Sequence, residues 1–577
     1  MRGVCTRMPL ARGPGCLLPC TSDRGTLLAR GSLPAAPAQG SKRERLKSMN
    51  LVQQIFERAE RRGLTNAPAL ICEDRSLSYG ELIASCNRYG NAFRRAGVER
   101  GDRVLFLMDD TPELVAAWLG TLVIGAVSVA LNLRMTPAEL LFIVRESRCR
   151  CLLIHHEFLP LYLQIKAQLA RPPQVVLVDG EAEGGKVLEI FLDGCSTVLE
   201  PTQTCANDIA YWIYSSGTTG RPKAAVHLHR DIGIARRYLC ENLGVQPADR
   251  IFTVSKLFFG FALAHSLLAG LSAGAGVILY RGWPEARALA SFIAKTRPDV
   301  VFGVPTIYRN FIREGTAGSD AFKRIRHFVS SGEKLPAALF NAWRERTGQP
   351  IIEGVGASET TFLFISNTPT AYCAGSCGKP LPWADIRLTD EDGNIIVRPD
   401  TPGTLWVRMA SVCVGYWLRP ELSEHVFHDD WFRTGDAFSF DADGWWYHHG
   451  RSDDMLKVSG QWVSPMEIEF RAIAVPGIAE AAVVAVPNED GLMRLTLFLV
   501  AGRDHDPRAL GVAVQSDLRR TLSTYKCPRD IRFIAELPRT ATGKTQRFRL
   551  REMLRLESAS VPGAPPAALA PAACFET

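Results

Sequence analysis

Short apolar runs separated by helix-length stretches dominate this chain and leave few folds open to it. Val104–Met108, Cys151–His155, Val175–Val178, Ile209–Ser215, Ile251–Val254, Val300–Val304 and His327–Ser330 all read as strands. Stretches of helical pattern lie between most of them, including the one that begins at Pro112, Asp231–Leu243, Glu285–Thr296 and Pro336–Thr347. A strand buried on both faces is a continuous apolar run, and regular alternation with helices implies parallel sheets covered by helices. Two uncharged runs, Leu114–Leu133 and Leu257–Tyr280, pass the length test for a membrane span. Each is rich in Gly, Ala and Ser and turns β-branched midway, at Val127–Val129 and Val277–Ile278. That is the pattern of a buried helix followed by a buried strand, so no membrane span is expected.

The texture changes along the chain. From Gly403 it becomes short strands and turns, among them Thr404–Val407 and Gly444–Tyr447. Residues 467–554 carry a helix–strand pattern of their own: Glu467–Ile473, Ile478–Val486, Leu495–Val500, Leu510–Leu522 and Ile531–Ile534. With 577 residues, more than one core is needed. The expected organisation is a large α/β domain over 49–450 with a small barrel-like β subdomain, a hinge at 451–456 and a small α+β lid over 457–556. Residues 1–48 and 557–577 read as disordered extensions rich in Pro and Ala. A basic, acid-poor leader also fits a transit peptide, but the amphipathic pattern begins only at Leu51–Ala59, which favours an extension ahead of a start at Met49.

Charge excludes a class of partner. Nine Lys and Arg stand against Asp23 and Glu44 in residues 1–48, which accounts for the whole net charge of +7. The neutral body has no excess for binding phosphate backbones, so no nucleic-acid partner is expected. The 15 cysteines contain no Cys-x-x-Cys pair, and Cys373 with Cys377 lacks a second pair of ligands nearby. Free thiols in a reducing cytoplasm are the reading that fits.

The strongest local signal is Tyr214-Ser215-Ser216-Gly217-Thr218-Thr219-Gly220-Arg221-Pro222-Lys223. It is expected to follow a strand and precede a helix. Glycines and hydroxyl residues let backbone N–H groups approach phosphate oxygens, with Lys223 as counter-charge. Ala224 after the lysine rules out a Walker A loop, which needs Ser or Thr there.

This run resembles the phosphate-binding signature of the adenylate-forming superfamily of acyl-CoA synthetases, peptide-synthetase adenylation domains and luciferases. Four further stretches resemble its motifs, in family order: Gly356-Ala357-Ser358-Glu359, Thr434-Gly435-Asp436, Gly450–Lys457 and Pro538–Lys544. The resemblance implies ATP, magnesium and coenzyme A as reactants. It implies that Ser215, Ser216, Gly217, Thr218, Thr219, Gly220 and Lys223 hold phosphates, and that Glu359, with Thr218, anchors the metal. Ser358 would donate to phosphate, and Gly332-Glu333 with Gly356-Ala357 would border the adenine. Asp436 would accept from the ribose hydroxyls with Arg451 assisting. Lys544 would bridge carboxylate and α-phosphate in the first half-reaction. Asp453 would be the pivot of the mobile lid, and Lys457, Ser459 and Gly460 would wall the thiol channel in the second.

Within the superfamily the chain is most similar to benzoate-type aryl-CoA ligases, through Lys256–Phe261, Phe302–Tyr308, Glu353–Asn367 and Met455–Pro465. Phe259, Gly260, Phe261, His265, Val304, Val355 and Phe362 are the expected acid slot, flat and apolar, with Phe258 and Phe302 as core. Phe362 stands where such ligases often carry His, and His265 where they carry Asn. Three other readings remain open: an enzyme that loads an acyl carrier protein, a medium-chain fatty acyl-CoA ligase, and a non-catalytic nucleotide-binding relative. A monomer or homodimer is expected.

Overall fold

A computed structural model of the chain describes residues 50–73, 75–180, 186–216, 221–452, 456–458, 461–487, 493–502, 505–539 and 545–559. Helices begin where local chemistry dictates. Asn50 caps Leu51–Arg61 by accepting the N–H groups of Val52 and Gln53. Ser78 with Glu81, and Thr136 with Glu139, form reciprocal capping boxes at Tyr79–Arg95 and Pro137–Ser147. The uncharged run from Leu114 resolves as the helix Pro112–Val123 and the strand Val127–Ala130. The second such run becomes consecutive helical turns over Gly260–Ala273, then the strand Gly276–Ile278. Among the described residues no helix is long and apolar enough to cross a membrane.

Two large sheets form the body. In the seven-stranded sheet the order is Lys186–Val187, Gln174–Leu177, Cys151–Ile154, Arg103–Leu107, Val127–Ala130, Ile209–Ser216 and Pro222–Leu228. All its pairs are parallel except the last. The nine-stranded sheet has a parallel centre running Ile351–Val355, His327–Ser330, Val300–Gly303, Arg250–Thr253, Gly276–Ile278, Pro68–Ile71. Its edges are antiparallel. Every run read as a strand in this region is one, because parallel strands covered on both faces show as unbroken apolar sequence.

After these comes an antiparallel sheet of five strands, Ala384–Thr389, Gly403–Met409, Phe427–His428, Trp431–Phe440 and Trp446–Arg451. Its end strands are not paired with each other among the described residues. The C-terminal region has its own three-stranded sheet, Ile478–Pro487, Met493–Ala501 and Asp530–Phe533, flanked by helices Pro465–Ala474, Pro507–Thr521 and Arg547–Ala559. It buries a separate cluster including Val463, Ile468, Val483, Leu497, Leu499 and Val514.

Candidate active site

The Tyr214–Lys223 run departs from expectation in one respect. It joins two antiparallel strands, Ile209–Ser216 and Pro222–Leu228, so Lys223 lies in a strand and no helix follows directly. The cause is the apolar sequence Ala224-Ala225-Val226, which is buried between two partners. On one side it pairs with Ile213 and its neighbours. On the other, Val226 N–H donates to Gly415 C=O (3.0 Å) and Trp417 N–H to Ala224 C=O (3.0 Å). Gly217, Thr218, Thr219, Gly220 and the side chain of Ser216 lie outside the described residues.

That second pairing brings Tyr416 to Lys223, a contact sequence reasoning missed. Lys223 Nζ donates to Glu359 Oε1 (3.0 Å) and to the Tyr416 hydroxyl (2.6 Å), and Tyr416 donates to the same Glu359 oxygen at 2.6 Å. The ammonium also sits 4.1 Å from the Tyr416 ring centroid. Burial alone would raise the Glu359 carboxyl, but the Lys223 charge and the Tyr416 hydrogen bond outweigh it and hold it below the ordinary range. Burial beside Glu359 pushes the Tyr416 phenol far up, so it remains a donor. Ser358 and Glu359 follow the strand Ile351–Val355, on the connection to Ile365–Ser366.

Asp436 and Arg451 face each other across two paired strands. Arg451 Nη1 donates to Asp436 Oδ1 (3.2 Å) and to Thr434 C=O (2.7 Å), and His448 Nε2 stands 3.8 Å from the same carboxylate. Burial would raise Asp436; His448 and Arg451 hold it low instead. Gly435 has φ +71°, and a Cβ there would run into the Arg451 guanidinium. Gly435→Ala is therefore expected to raise the KM for ATP roughly tenfold, since a left-handed non-glycine residue costs about 1–2 kcal/mol even before the clash. Titration of initial rate against ATP checks this.

Residues 55–417 match the AMP-binding enzyme family, and residues 467–544 match the AMP-binding enzyme C-terminal domain. The chain belongs to the AMP-binding enzyme family. Over 515 residues it is 56% identical to a 3-hydroxybenzoate–CoA/4-hydroxybenzoate–CoA ligase of Thauera aromatica, covering 88% of this chain and 98% of that one. A 3-hydroxybenzoate–CoA ligase of Aromatoleum sp. (strain CIB) is 51% identical over 89% of this chain and 98% of its own. Among solved structures, an anthranilate CoA ligase in complex with anthranoyl-AMP superimposes with TM-score 0.83 at 35% identity, over 89% of this chain and 98% of that chain.

In this AMP-binding enzyme the segment expected to meet the acid is anchored from behind. Lys256, buried, donates to Asp109 (2.5 Å) and to Tyr280 C=O (2.7 Å), while Leu257 N–H donates to Asp110 (3.1 Å). Phe259, Gly260, Phe261, Val304 and Val355 remain partly accessible, and Phe302 is core as expected. A Cβ at Gly260 would lie 3.2 Å from Ile213 Cδ1 and 4.0 Å from Ser358 Cα. Gly260 therefore allows close approach of this segment to the turn that carries Ser358 and Glu359. His265 and Phe362 are in a closed layer, each 1% exposed. His265 donates from Nδ1 to Phe261 C=O (3.2 Å) and accepts at Nε2 from Leu363 N–H (3.3 Å). Burial pushes its pKa down to about 4, so both ring nitrogens are committed to backbone in the neutral form.

Gly332 and Glu333 are exposed beside Val304, with Thr306 donating to Glu333 at 3.4 Å. Gly356 and Ala357 are half-buried at the end of the strand Ile351–Val355. Behind them is Glu353, a residue the sequence did not single out. Its Oε1 accepts from Leu335 N–H (3.1 Å) and Cys377 Sγ (3.6 Å), and its Oε2 has no hydrogen-bond partner among the described residues. Burial pushes this carboxyl from 4.5 up to about 8, against the opposing Leu335 N–H and Lys334. The folded state thus binds a proton that the unfolded chain releases, so stability falls as pH rises through that window. Glu353→Gln is expected to flatten this decline; melting temperatures at about pH 5 and about pH 8 measure it.

Lys544, Asp453, Ser459, Gly460 and the side chain of Lys457 lie outside the described residues; the Lys457 backbone belongs to the hairpin Leu456–Val458 with Gln461–Val463. Among the described residues, no group of three or more His, Cys, Asp or Glu is placed to hold a metal. Among the described residues, Cys86, Cys149, Cys195, Cys205, Cys240, Cys373, Cys377, Cys413 and Cys527 are free thiols.

Proposed function

We propose that this enzyme joins a hydroxybenzoate to ATP as the acyl-AMP, releasing pyrophosphate, and then transfers the acyl group to coenzyme A. The observation that carries the reading is the contact of two segments: Gly260, within the aromatic stretch, lies against Ser358, next to the Lys223–Glu359–Tyr416 cluster. An acid lying along Phe259–Phe261 would present its carboxylate where the α-phosphate is held. Proximity and charge stabilisation then do most of the catalysis. The hydroxybenzoate and the CoA acceptor are supported by the names of the Thauera and Aromatoleum relatives.

Each residue has a chemical task in this reading. Lys223 and Ser358 donate to phosphate oxygens, Asp436 with Arg451 holds the ribose, and Gly332, Glu333, Gly356 and Ala357 border the adenine. Glu359, ionised and buried, suits a hard cation that takes few carboxylates and completes its shell from phosphates. Magnesium held there by Glu359 and Thr218 would neutralise charge on the departing pyrophosphate. Lys544 approaches the reacting carboxylate in the first step. A swing about Asp453 then replaces it with Lys457, Ser459 and Gly460 beside the thiol. The free thiols of Cys86, Cys149, Cys205, Cys377 and Cys413 among the described residues suit a cytoplasmic enzyme.

The test is a substrate panel: kcat/KM for benzoate, 3- and 4-hydroxybenzoate, aminobenzoates and octanoate, with CoA or with a phosphopantetheinylated carrier protein. A hydroxybenzoate with CoA is expected to lead. Octanoate as best acid, or a carrier protein as best acceptor, would replace this reading with a fatty-acid ligase or a loading enzyme.

A further inference from the structure

We infer that His227 is a positioning residue for the Ser358–Thr361 turn and, through it, for Glu359; the inference rests on the placement of Glu359 in the nucleotide site. His227 stands on the same strand as Lys223, four residues along, so both side chains leave the same face. Lys223 meets this turn at Glu359, whereas His227 meets its two ends.

The contacts define the ring's task. His227 Nε2 lies 2.8 Å from the Ser358 carbonyl oxygen. A carbonyl can only accept, so Nε2 carries a proton and donates it. Nδ1 lies 2.9 Å from Asp231 Oδ2, and neither side chain has any exposure. That Asp231 oxygen also accepts from Leu228 N–H at 3.1 Å, which ties the acid to the end of the strand. Tyr211 stacks on the imidazole at a centroid distance of 4.9 Å and an interplanar angle of 10°. The ring is therefore held on its face by Tyr211 and at one edge by Asp231, with its other edge committed to the turn.

At the far end of the turn, Thr361 Oγ1 lies 3.1 Å from His227 Nδ1 and 3.1 Å from the Tyr211 hydroxyl. Thr361 has φ +59°, a conformation that β-branched residues rarely adopt. Phe362 N–H donates to Thr360 C=O at 2.6 Å, closing a tight γ-turn around it. Such a conformation persists when its surroundings hold it, and it recurs at functional sites. Glu359 lies between the two ends held by His227, its own C=O accepting from Cys413 N–H at 2.8 Å. Its carboxylate reaches Lys223 and Tyr416 only while the turn keeps this shape.

The experiment compares His227→Leu, His227→Gln, His227→Asn and Glu359→Gln in the full chain, following pyrophosphate release against ATP, acid and magnesium. His227→Leu is expected to lower kcat about tenfold or more and raise the magnesium needed for half-maximal rate, with the KM for the acid unchanged. His227→Gln, whose amide N–H reaches where Nε2 stands, is expected to recover most of that loss, and His227→Asn is not. If His227→Leu fails to fold, the Gln-against-Asn comparison decides alone: Gln superior supports the assignment, and equal activity overturns it. Parent-like kinetics in His227→Leu beside an inactive Glu359→Gln would overturn this inference only. A fully active Glu359→Gln would overturn both it and the reading of the nucleotide site.

Discussion

Replacing Glu359 with Gln is expected to lower the rate of acyl-AMP formation by roughly 10²–10³-fold, the usual effect of removing one preorganised charge from a water-excluded site. The side chain is 9% exposed, and its partners Lys223 and Tyr416 converge on one oxygen. Gln keeps the shape but withdraws the charge, so magnesium–ATP would be held less well while the Lys223 ammonium loses its counter-ion. Lys223→Met, which removes the cation from the same cluster, is expected to act in the same direction. The two losses should fall well short of adding in the double variant, because the groups work as one unit. Pyrophosphate release measured for both single variants and the double variant gives the answer. Losses that simply multiply would mean that the two groups serve separate tasks.

Replacing Lys544 with Ala is expected to have the largest effect on the first half-reaction and little on the second. The proposed role places its charge between carboxylate and α-phosphate during adenylation and withdraws it before the thiol attacks. Acyl-AMP formation from acid and ATP should fall by roughly 10²–10³-fold. Thioester formation from supplied hydroxybenzoyl-AMP and CoA should stay within a few-fold of the parent. A stopped assay of each half-reaction separates them; equal loss in both would remove Lys544 from the adenylating step and make it part of the scaffold.

What the sequence could show depended on how local the cause was. The parallel strands were legible because each is a buried run, as in Cys151–Ile154 or Val300–Gly303, where every residue is covered. Capping boxes at Ser78 and Thr136 are equally local. The helical stretch Asp231–Leu243 was only partly legible. It is built from a 3₁₀ turn His229–Ile234, a short α turn Ala235–Arg237 and a π turn Tyr238–Asn242, which a single 3.6-residue period does not distinguish. Lys223 was read before a helix because a Gly/Thr loop after a strand often leads into one; here the following residues pair with 414–417, far away in sequence.

The same non-local pairing explains the functional residues that went unnoticed. Tyr416, His227, Asp231 and His448 have no motif around them and reach the site through strand pairing or the shape of a turn. The unlike fates of the acid-slot candidates have a physical cause too. Phe261 and Val304 remain partly accessible, whereas His265 is surrounded by Tyr238, Phe261, Phe302 and Phe362 and bonded, among the described residues, only to backbone. Periodicity marks such a residue as inward-facing and cannot say whether a cavity or the core lies there.

The central claim is that the carboxylate itself attacks the α-phosphate, and an isotope experiment tests that most directly. 3-Hydroxybenzoate labelled with heavy oxygen in its carboxyl group is turned over with ATP and CoA, and the products are weighed by mass spectrometry. Attack on the α-phosphate followed by thiolysis leaves one carboxylate oxygen on AMP, so labelled AMP and unlabelled pyrophosphate are expected, with hydroxybenzoyl-CoA in equal amount. Unlabelled AMP, or label recovered in inorganic phosphate alongside ADP, would contradict the account.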